Sequence, residues 1–490
     1  MKRILALALG LMLLCPALAE TYVVDNYGTD EVMSDSMLLR DDGTPLTPAR
    51  TFSNIYEITP SGTPEAEKLY AATPCDLGLE YDPETAEGML YDTGYVRVGL
   101  MDAQGSLLTG CDYEYLDYEN GYVIFTLPGE NLMVGAMDGK GHVVIEPRYA
   151  SLRHLGGGRW LAMRYPGDKS GVHRTYYDDG GYYDEYDFEA VYIDDAGVRS
   201  LGLHTWDRYT SVNADGICLI SNVEEYGEQS VFVDSMGNVM FGRSFRYADN
   251  FVGDYAVVAE DERYGVIDRS GEYVVPQEYS YINWVEGWPM VATGSRGFTV
   301  YDAHSLDVLF GMDFGEEQDF NVTAITPELF GVTVDERTSI YDAAGNLLMA
   351  VPEDKDVQLY GYSADGTRRL VESYGEWPGN YYRLIDLSGE PVSGDFRLIN
   401  GGVWQDGHGR FVTADYRIIR DAEGEEVVDW SSYRYGLIDE DGGTLLPNVY
   451  DELRALSYDR YWVTQGDRSG MIDASGNWYY AVSRYETLMD

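Results

Sequence analysis

A four-residue turn, Asp-x-x-Gly between two short apolar runs, recurs throughout this chain. In the clearest copy, Asp268 and Gly271 separate residues 265–267 from residues 273–275. The Asp carboxylate can accept a hydrogen bond from the backbone two residues on, and Gly readily adopts the positive φ that closes such a turn. Pro276 then lacks a ladder donor, so we expect the returning strand to end there. The motif predicts a β-hairpin as the unit of the fold.

The turn forms a series along the chain. The aspartates that align on it are Asp41, Asp102, Asp138, Asp194, Asp234, Asp268, Asp302, Asp342, Asp386, Asp421, Asp439 and Asp473. Most successive copies are 34 to 44 residues apart, and the copy at Asp302 has Ser305 in place of the Gly. A period of about 20–50 residues is typical of stacked supersecondary units. The series therefore predicts a repeat array.

The strand segments indicate how the units pack. Runs such as residues 256–259 and 265–267 are continuously apolar, which is typical of strands buried on both faces. Small sheets stacked face to face provide that burial. We predict an all-β fold of tandem three- to four-stranded hairpin or meander units, stacked as propeller-like blades in one large ring or two. An open β-solenoid or superhelical array of hairpins satisfies the same pattern.

Two local expectations accompany this fold. Residues 450–456 are the main stretch that could form a helical turn or two, because Gly and Pro are frequent elsewhere. Residues 22–24, an apolar run near the start of the mature chain, are expected to complete the final sheet and so cover its exposed edge.

The best-preserved copies share a longer pattern. They read GVIDRSGEYVVPQEY (residues 265–279), GLIDEDGGTLLPNVY (436–450) and GAMDGKGHVVIEPRY (135–149). This pattern resembles the WG (or KWG) repeat family, with Tyr264 and Tyr435 at the position of the family's Trp. The resemblance implies a β-rich repeat module found in bacterial proteins, with no assigned chemistry. It implies no catalytic residue.

The motif residues are interpreted as structural. They are Gly265, Asp268, Gly271, Pro276 and Tyr279 in one copy, and Gly436, Asp439, Gly442, Pro447 and Tyr450 in another.

The first 19 residues predict a cleaved signal peptide. Lys2 and Arg3 precede an apolar run over residues 4–14, and residues 17–19 form an A-x-A cleavage site. This run is too short to cross a bilayer as a helix, and no later stretch approaches 18 apolar residues, so we expect no membrane insertion after cleavage. The sequence predicts a secreted, extracellular protein of bacterial type, with association to the cell surface as a variant.

The predicted domain organisation follows from the repeat series. The signal peptide (1–19) precedes degenerate N-terminal β repeats (20–98) and a WG-like array (99–490), with a split into two rings placed near 225–255.

Charge and cysteine content narrow the function. The formal net charge of −50 argues against nucleic acid as a partner, because phosphate binding requires clusters of Lys and Arg. The mature chain has three cysteines, and Cys75 with Cys111 is the pair favoured for a disulfide.

The chain lacks H-E-x-x-H, C-x-x-C, G-x-S-x-G and P-loop motifs, so we expect no enzyme activity. No cofactor is expected. Ca²⁺ at acidic segments such as residues 178–180 remains the alternative.

Aromatic residues supply the candidate binding sites. The 43 Tyr and 9 Trp offer the stiff, amphipathic contact area favoured at recognition surfaces. Trp284 and Trp288 follow the best repeat, Tyr182 and Tyr183 lie in a Tyr-rich insertion, and Trp377 lies in a second insertion. These five are the predicted ligand-binding residues.

Three functions are carried forward. The first is a non-catalytic scaffold that binds a protein, peptide or polysaccharide. The second is a propeller-type, carbohydrate-active hydrolase or lyase with paired carboxylates. The third is a calcium-dependent adhesin.

Overall fold

A computed structural model describes most of the chain. The described residues are 20–26, 35–48, 51–74, 97–128, 133–165, 172–176, 182–315, 318–351, 356–358, 370–374, 379–397, 410–421, 424–439, 441–457 and 459–483. The predicted signal peptide, Cys75 and Trp377 lie outside these ranges.

The chain divides into two compact units, Met1–Gln277 and Glu278–Asp490. This division lies after residues 225–255, the region in which the sequence predicts a split between two rings. In the described ranges the regular structure is β-strand, apart from two single 3-10 turns, Glu65–Glu67 and Glu224–Tyr226. No helix in these ranges is long and apolar enough to cross a membrane.

The first unit contains four stacked sheets. The first runs in chain order through β1 (Thr21–Asn26), β2 (Asp35–Arg40), β3 (Phe52–Glu57), β4 (Leu69–Pro74) and β5 (Gly99–Asp102). The second runs through β6 (Tyr115–Glu119), β7 (Tyr122–Leu127), β8 (Met133–Asp138) and β9 (Val143–Tyr149). The first sheet therefore uses residues on both sides of the predicted 98/99 domain boundary.

The third sheet is larger and carries an insertion. It contains β10 (Ser151–Gly156), β11 (Arg159–Arg164), β14 (Phe188–Asp194), β15 (Gly197–Thr205), β16 (Thr210–Val212), β17 (Cys218–Val223) and β18 (Gln229–Val233). Between β11 and β14 the chain forms a separate hairpin of β12 (Val172–Tyr176) and β13 (Tyr182–Tyr186). The fourth sheet consists of β19 (Tyr247–Ala248), β20 (Tyr255–Ala259), β21 (Tyr264–Asp268) and β22 (Tyr273–Tyr279).

In its described residues the second unit contains five sheets, each ordered as in the sequence. The first two are four-stranded: β23 (Tyr281–Asn283), β24 (Met290–Thr293), β25 (Gly297–Tyr301) and β26 (Val308–Asp313), then β27 (Phe320–Thr326), β28 (Leu329–Val334), β29 (Arg337–Asp342) and β30 (Leu347–Ala350). Two are three-stranded: β31 (Asp356–Gln358), β32 (Leu370–Tyr374) and β33 (Tyr381–Ile385), then β34 (Phe411–Arg420), β35 (Glu426–Ile438) and β36 (Thr444–Tyr450). The last contains β37 (Glu452–Ser457), β38 (Arg460–Gln465), β39 (Arg468–Ile472) and β40 (Trp478–Ser483).

Consecutive sheets within a unit pack face to face. In the first unit, Ala71 and Leu100 share a buried cluster with Val123 and Phe125 of the next sheet. Similar clusters join Phe298 to Phe330, and Leu437 to Val463, in the second unit. Continuous apolar runs are required because both faces of such strands are covered. The prediction of an all-β array with blade-like stacked sheets is confirmed.

The repeated turn has one geometry at most positions of the series. One carboxylate oxygen of the Asp accepts hydrogen bonds from the backbone N–H groups two and four residues later. At Asp138, both of these N···O distances are 2.9 Å. The Gly N–H donates to the Asp carbonyl, and the Asp N–H donates to the carbonyl of the residue four positions after it. Each turn thus satisfies its own backbone.

Four positions depart from the predicted series. The turn aligned on Asp41 begins at Arg40, because the N–H of Gly43 donates to the Arg40 carbonyl. Asp194 begins a tighter hairpin, in which it pairs with Gly197 across β14 and β15. The turn at Asp302 is one residue longer and places Leu306 at φ 57°. A further copy of the turn has Asn213 in place of Asp. Its side-chain oxygen accepts hydrogen bonds from the N–H groups two and four residues later.

The expectation that the strand ends at Pro276 is wrong. Pro276 lies within β22, and Pro447 lies within β36. Each of these strands is the last of its sheet. Tyr435 pairs with Tyr450 and Leu437 pairs with Leu446, so residues 447–449 bulge opposite the single residue between Tyr435 and Leu437. A Pro without a ladder donor is tolerated in a bulge of an edge strand.

The same bulge explains the first Gly of the motif. A Cβ on Gly436 would lie 2.7 Å from the Leu446 carbonyl oxygen, because the bulged strand approaches the backbone closely. The Tyr that follows the bulge is buried: Tyr450 packs between its own sheet and the next, and the Tyr279 hydroxyl lies 2.7 Å from that of Tyr301.

Two further expectations are wrong. Residues 452–457 form β37, where a helical turn was expected, because consecutive residues from Glu452 to Ala455 pair with β38 in antiparallel register. Strand β1 pairs with β2 in the first sheet, so residues 22–24 belong to that sheet.

Candidate ligand-binding cleft

An open cleft of about 600 Å³ lies in the second unit, between the sheets β23–β26 and β27–β30. One wall is a face of the sheet β23–β26, in which Tyr281 pairs with Thr293 and Asn283 pairs with Val291 across β23 and β24. The lining residues are Tyr281, Asn283, Val285, Trp288, Pro289, Val291, Thr293, Asn321, Val322, Thr323 and Ala324. Its volume is within the range of small-molecule and polymer sites, about 300–1,000 Å³.

The aromatic side chains at this cleft are accessible. Tyr281 is 56% exposed and Val285 is 58% exposed, while Trp288 is half-buried at the loop between β23 and β24. Trp288 was predicted as a ligand-binding residue, and the structure places it in the lining. Trp284, predicted with it, is not a lining residue. A partly buried indole beside an exposed tyrosine offers a stiff surface that loses little conformational entropy on binding.

The lining carries no charged side chain. Charged residues make up 24% of the chain, so eleven residues would be expected to include about two or three. Asn283, Asn321, Thr293 and Thr323 supply the polar groups, and each amide or hydroxyl can take part in neutral hydrogen bonds. The cleft is therefore matched to a ligand without formal charge, although the whole protein is strongly acidic.

The other predicted binding residues are elsewhere. Tyr182 and Tyr183 lie on β13, where they pair with Tyr176 and Thr175 of β12. Trp377 lies outside the described residues. The prediction for Tyr182, Tyr183 and Trp377 stays a prediction.

A second cleft of about 630 Å³ lies near β33, β34 and β36 and differs in chemistry. Its lining includes Asp395, Asp415 and Arg397. The Arg397 guanidinium stacks on the rings of Tyr381 and Tyr416, each with its centroid at 4.7 Å, and donates a 2.8 Å hydrogen bond to the Tyr381 hydroxyl. These contacts hold the guanidinium in one position.

Glu119 of β6 is a half-buried carboxyl with a structural role. Burial raises its pKa, and the nearby Arg153 guanidinium opposes this shift. The carboxylate accepts hydrogen bonds from Arg153 Nη1 at 3.4 Å and from the backbone N–H of His154. Its oxygens therefore hold β10 beside β6.

The acidic residues in the described part of the chain form no metal site. Within the described ranges there is no group of three or more His, Cys, Asp or Glu side chains placed to hold a metal ion. The turn aspartates instead accept backbone hydrogen bonds, as at Asp439, where Asp441 and Gly443 donate at 3.0 and 2.7 Å.

One known family matches two segments of the chain. The model of the WG containing repeat matches residues 264–291 and 435–468. These segments include two of the best copies, so the resemblance predicted from the sequence is confirmed. Two segments of this all-β chain are therefore similar to the WG containing repeat. A search of curated proteins finds no match.

Several solved structures are similar to this chain at low identity. One, described as a crystal structure of the eukaryotic initiation factor, is 8% identical over 81% of this chain and 98% of its own, with a TM-score of 0.35. KlHsv2 with loop 6CD replaced by a Gly-Ser linker is 6% identical over 54% and 96%, with a TM-score of 0.27. The WD40 domain of SCAP from fission yeast is 10% identical over 88% and 98%, with a TM-score of 0.26. The fold assignment rests on the strand pairing described above.

Proposed function

We propose that this protein is a secreted, non-catalytic scaffold that binds an extended partner in the cleft between β23 and β27. The observation that supports the proposal most directly is the uncharged, aromatic lining of that cleft in a chain with a net charge of −50. The partner is a segment of a protein or peptide, or a polysaccharide chain. The stacked sheets around the cleft hold it in a preformed shape, which reduces the entropic cost of binding.

The lining also bears on the hydrolase alternative. A glycosidase mechanism requires two carboxyl groups roughly 5–10 Å apart, flanking the scissile bond. The lining of the β23–β27 cleft contains neither Asp nor Glu. The chemistry of this cleft therefore favours binding. The carboxylate pair of the second cleft, Asp395 and Asp415, is the place to test for the alternative activity.

Alanine substitution of Trp288 tests the proposal. The purified protein is screened by biolayer interferometry against cell-wall polysaccharides and co-secreted proteins, and Trp288→Ala is compared with Trp430→Ala. Trp430 is a matched control because it lies in the same unit and is 60% exposed on β35, outside the cleft lining. We expect Trp288→Ala to lose at least about tenfold in affinity, or roughly 1.4 kcal/mol, while Trp430→Ala keeps the affinity of the wild type. Equal losses in both variants would contradict the assignment.

The adhesin alternative has its own test. A protein that binds Ca²⁺ only when folded melts at a higher temperature when the ion is added. We expect millimolar CaCl₂ and EDTA to give the same melting temperature. A large rise with calcium would support the adhesin.

A further inference from the structure

Strand β27 differs from the other strands that begin a stacked sheet. It has seven residues, FNVTAIT, with no charged residue and no Pro. Natural proteins protect exposed strand edges with charges, Pro or short length. β19 and β23 have two and three residues. The remaining first strands in the described ranges carry charged residues: Asp25, Asp117, Glu119, Arg153, Asp356, Asp415, Arg417, Arg420, Glu452 and Arg454.

The outer edge of β27 faces the cleft. Four consecutive residues of this strand, 321–324, line the cleft, which requires that the strand present its edge there, since successive side chains point to opposite faces. β27 is the first strand of its sheet, and its partner is β28.

The register shows which backbone groups point outward. The Asp335 N–H donates to the Asp319 carbonyl at 2.9 Å, in line with the register that pairs Phe320 with Val334. Hydrogen-bonded and non-hydrogen-bonded pairs alternate in an antiparallel ladder. Asn321 and Thr323 therefore bond to β28, whereas Phe320, Val322 and Ala324 direct their N–H and C=O groups away from it. This leaves a row of backbone donors and acceptors along the cleft.

We infer that the cleft binds an extended, uncharged peptide segment as an added strand on β27. This rests on the proposed function and specifies the partner of the same site. The outward groups of Val322 and Ala324 would pair with the segment's backbone, as in other cases of strand addition. The facing wall, with Tyr281, Asn283 and Trp288, would contact the segment's alternate side chains. The lack of charge in the lining is complementary to neutral side chains.

The recessed position of the edge argues for a single segment. The neighbouring sheet β23–β26 forms the opposite wall, so a lone strand fits where the edge of a second folded copy would meet that wall. A polysaccharide could use the side-chain amides and hydroxyls, but it has no regular series of groups that matches alternate backbone positions of β27.

N-methylated peptides test the pairing. The probe is an end-blocked, fluorescein-labelled peptide with alternating Val and Thr, flanked by Gly and Ser. In one version the N–H groups of the odd residues are methylated, and in the other those of the even residues. Strand addition uses the N–H groups of only one alternate set. We expect the full-length protein to bind the unmethylated probe and one methylated version, and the other version to bind at least about tenfold more weakly by fluorescence anisotropy. Binding of both methylated versions, and of a version methylated at every residue, as tightly as the unmethylated probe would overturn the inference.

A pair of substitutions at one residue tests the protein side. Val322→Pro removes an outward N–H that is not used in the β27–β28 ladder, and Val322→Ala keeps it. We expect Val322→Pro to bind the probe at least about tenfold more weakly than Val322→Ala does, because both variants lose the valine side chain and only Pro lacks the outward N–H. If Val322→Pro unfolds the protein, the alternately methylated probes still decide the question.

Other results separate this inference from the proposed function. Polysaccharide binding that depends on Trp288, without binding of any probe peptide, would overturn strand addition and keep the scaffold function. Self-association in analytical ultracentrifugation that Val322→Pro abolishes would identify a second copy as the occupant and would overturn the inference. Failure to bind any probe, polysaccharide or co-secreted protein would remove both.

Discussion

Gly271, which closes the turn at Asp268, is constrained in two ways. Its φ is +85°, a conformation that costs a non-Gly residue roughly 1–2 kcal/mol. In addition, a Cβ at this position would lie 2.6 Å from the ring of Phe241, which lies in the connection between β18 and β19. The turn therefore contacts the preceding repeat at a distance that leaves no room for a side chain.

A comparison of two glycines separates these effects. Gly253 also has a positive φ, +56°, but a Cβ there would meet nothing within 4 Å. We expect Gly253→Ala to lower the free energy of unfolding by about 1 kcal/mol, and Gly271→Ala to lower it by about 3 kcal/mol because overpacking adds to the strain. Urea denaturation measures both. Equal losses would show that the contact with Phe241 yields without cost.

His154 is a buried imidazole between two aromatic rings. It is 5% exposed, and its ring centroid lies 4.6 Å from those of Tyr122 and Trp160. Neither ring nitrogen has a hydrogen-bond partner in the described part of the chain. Burial lowers the pKa of His154, and the charge of Arg159 lowers it further. The folded protein therefore favours the neutral ring.

The lowered pKa has a defined sign for stability. Because the unfolded chain binds a proton at about pH 6.5 and the folded chain only at lower pH, the stability is complete above about pH 6.5 and declines below it. We expect His154→Phe to reduce the decline in the free energy of unfolding between about pH 7 and pH 5, as measured by urea titrations. Near pH 8 the variant and the wild type should show a similar dependence of this free energy on pH. An unchanged acid slope would show that His154 does not contribute.

At the scale of the element, the repeated turn is a self-contained hydrogen-bonding unit. Asp102 accepts from the N–H groups of Gln104 and Ser106 at 2.9 Å each. Asn213 performs the same role with an amide oxygen, so an uncharged acceptor also satisfies this turn.

Two substitutions of Asp102 test this account. We expect Asp102→Asn to leave the free energy of unfolding nearly unchanged, because Asn keeps the accepting oxygen. Asp102→Ala should cost about 1 kcal/mol or more, since two backbone N–H groups lose their acceptor. Thermal and urea melts distinguish these results. Similar losses in both variants would indicate that the negative charge itself stabilises the turn.

The sequence predicts the elements better than their edges. The apolar runs and Asp-x-x-Gly turns predicted hairpins correctly because both signals are local. Pro276 alone does not indicate a bulge, because a bulge depends on the partner strand, and Asn213 lacks the carboxylate that marks the other turns. The helical turn expected over residues 450–456 does not form because local propensity does not include the pairing of this segment with β38.

At the scale of the whole molecule, the site depends on packing between repeats. Trp288 could be nominated from its loop position and residue type, whereas Asn321 and Thr323 carry no sequence signal of their own. They reach the cleft because β27 begins the sheet that stacks on β23–β26. A single sequence does not show that these two strands face one another, so the cleft emerges only from the folded chain.

Photocrosslinking tests the central claim, that the β23–β27 cleft is the binding site, most directly. A benzophenone amino acid replaces Tyr281 in one variant and Tyr115 in another, which is a matched control because it is 53% exposed on the first strand of a different sheet. Both variants are irradiated with the partner found in the binding screen. We predict a crosslink from position 281 that excess unlabelled partner abolishes, and none from position 115. A crosslink from position 115 without one from position 281 would contradict the account.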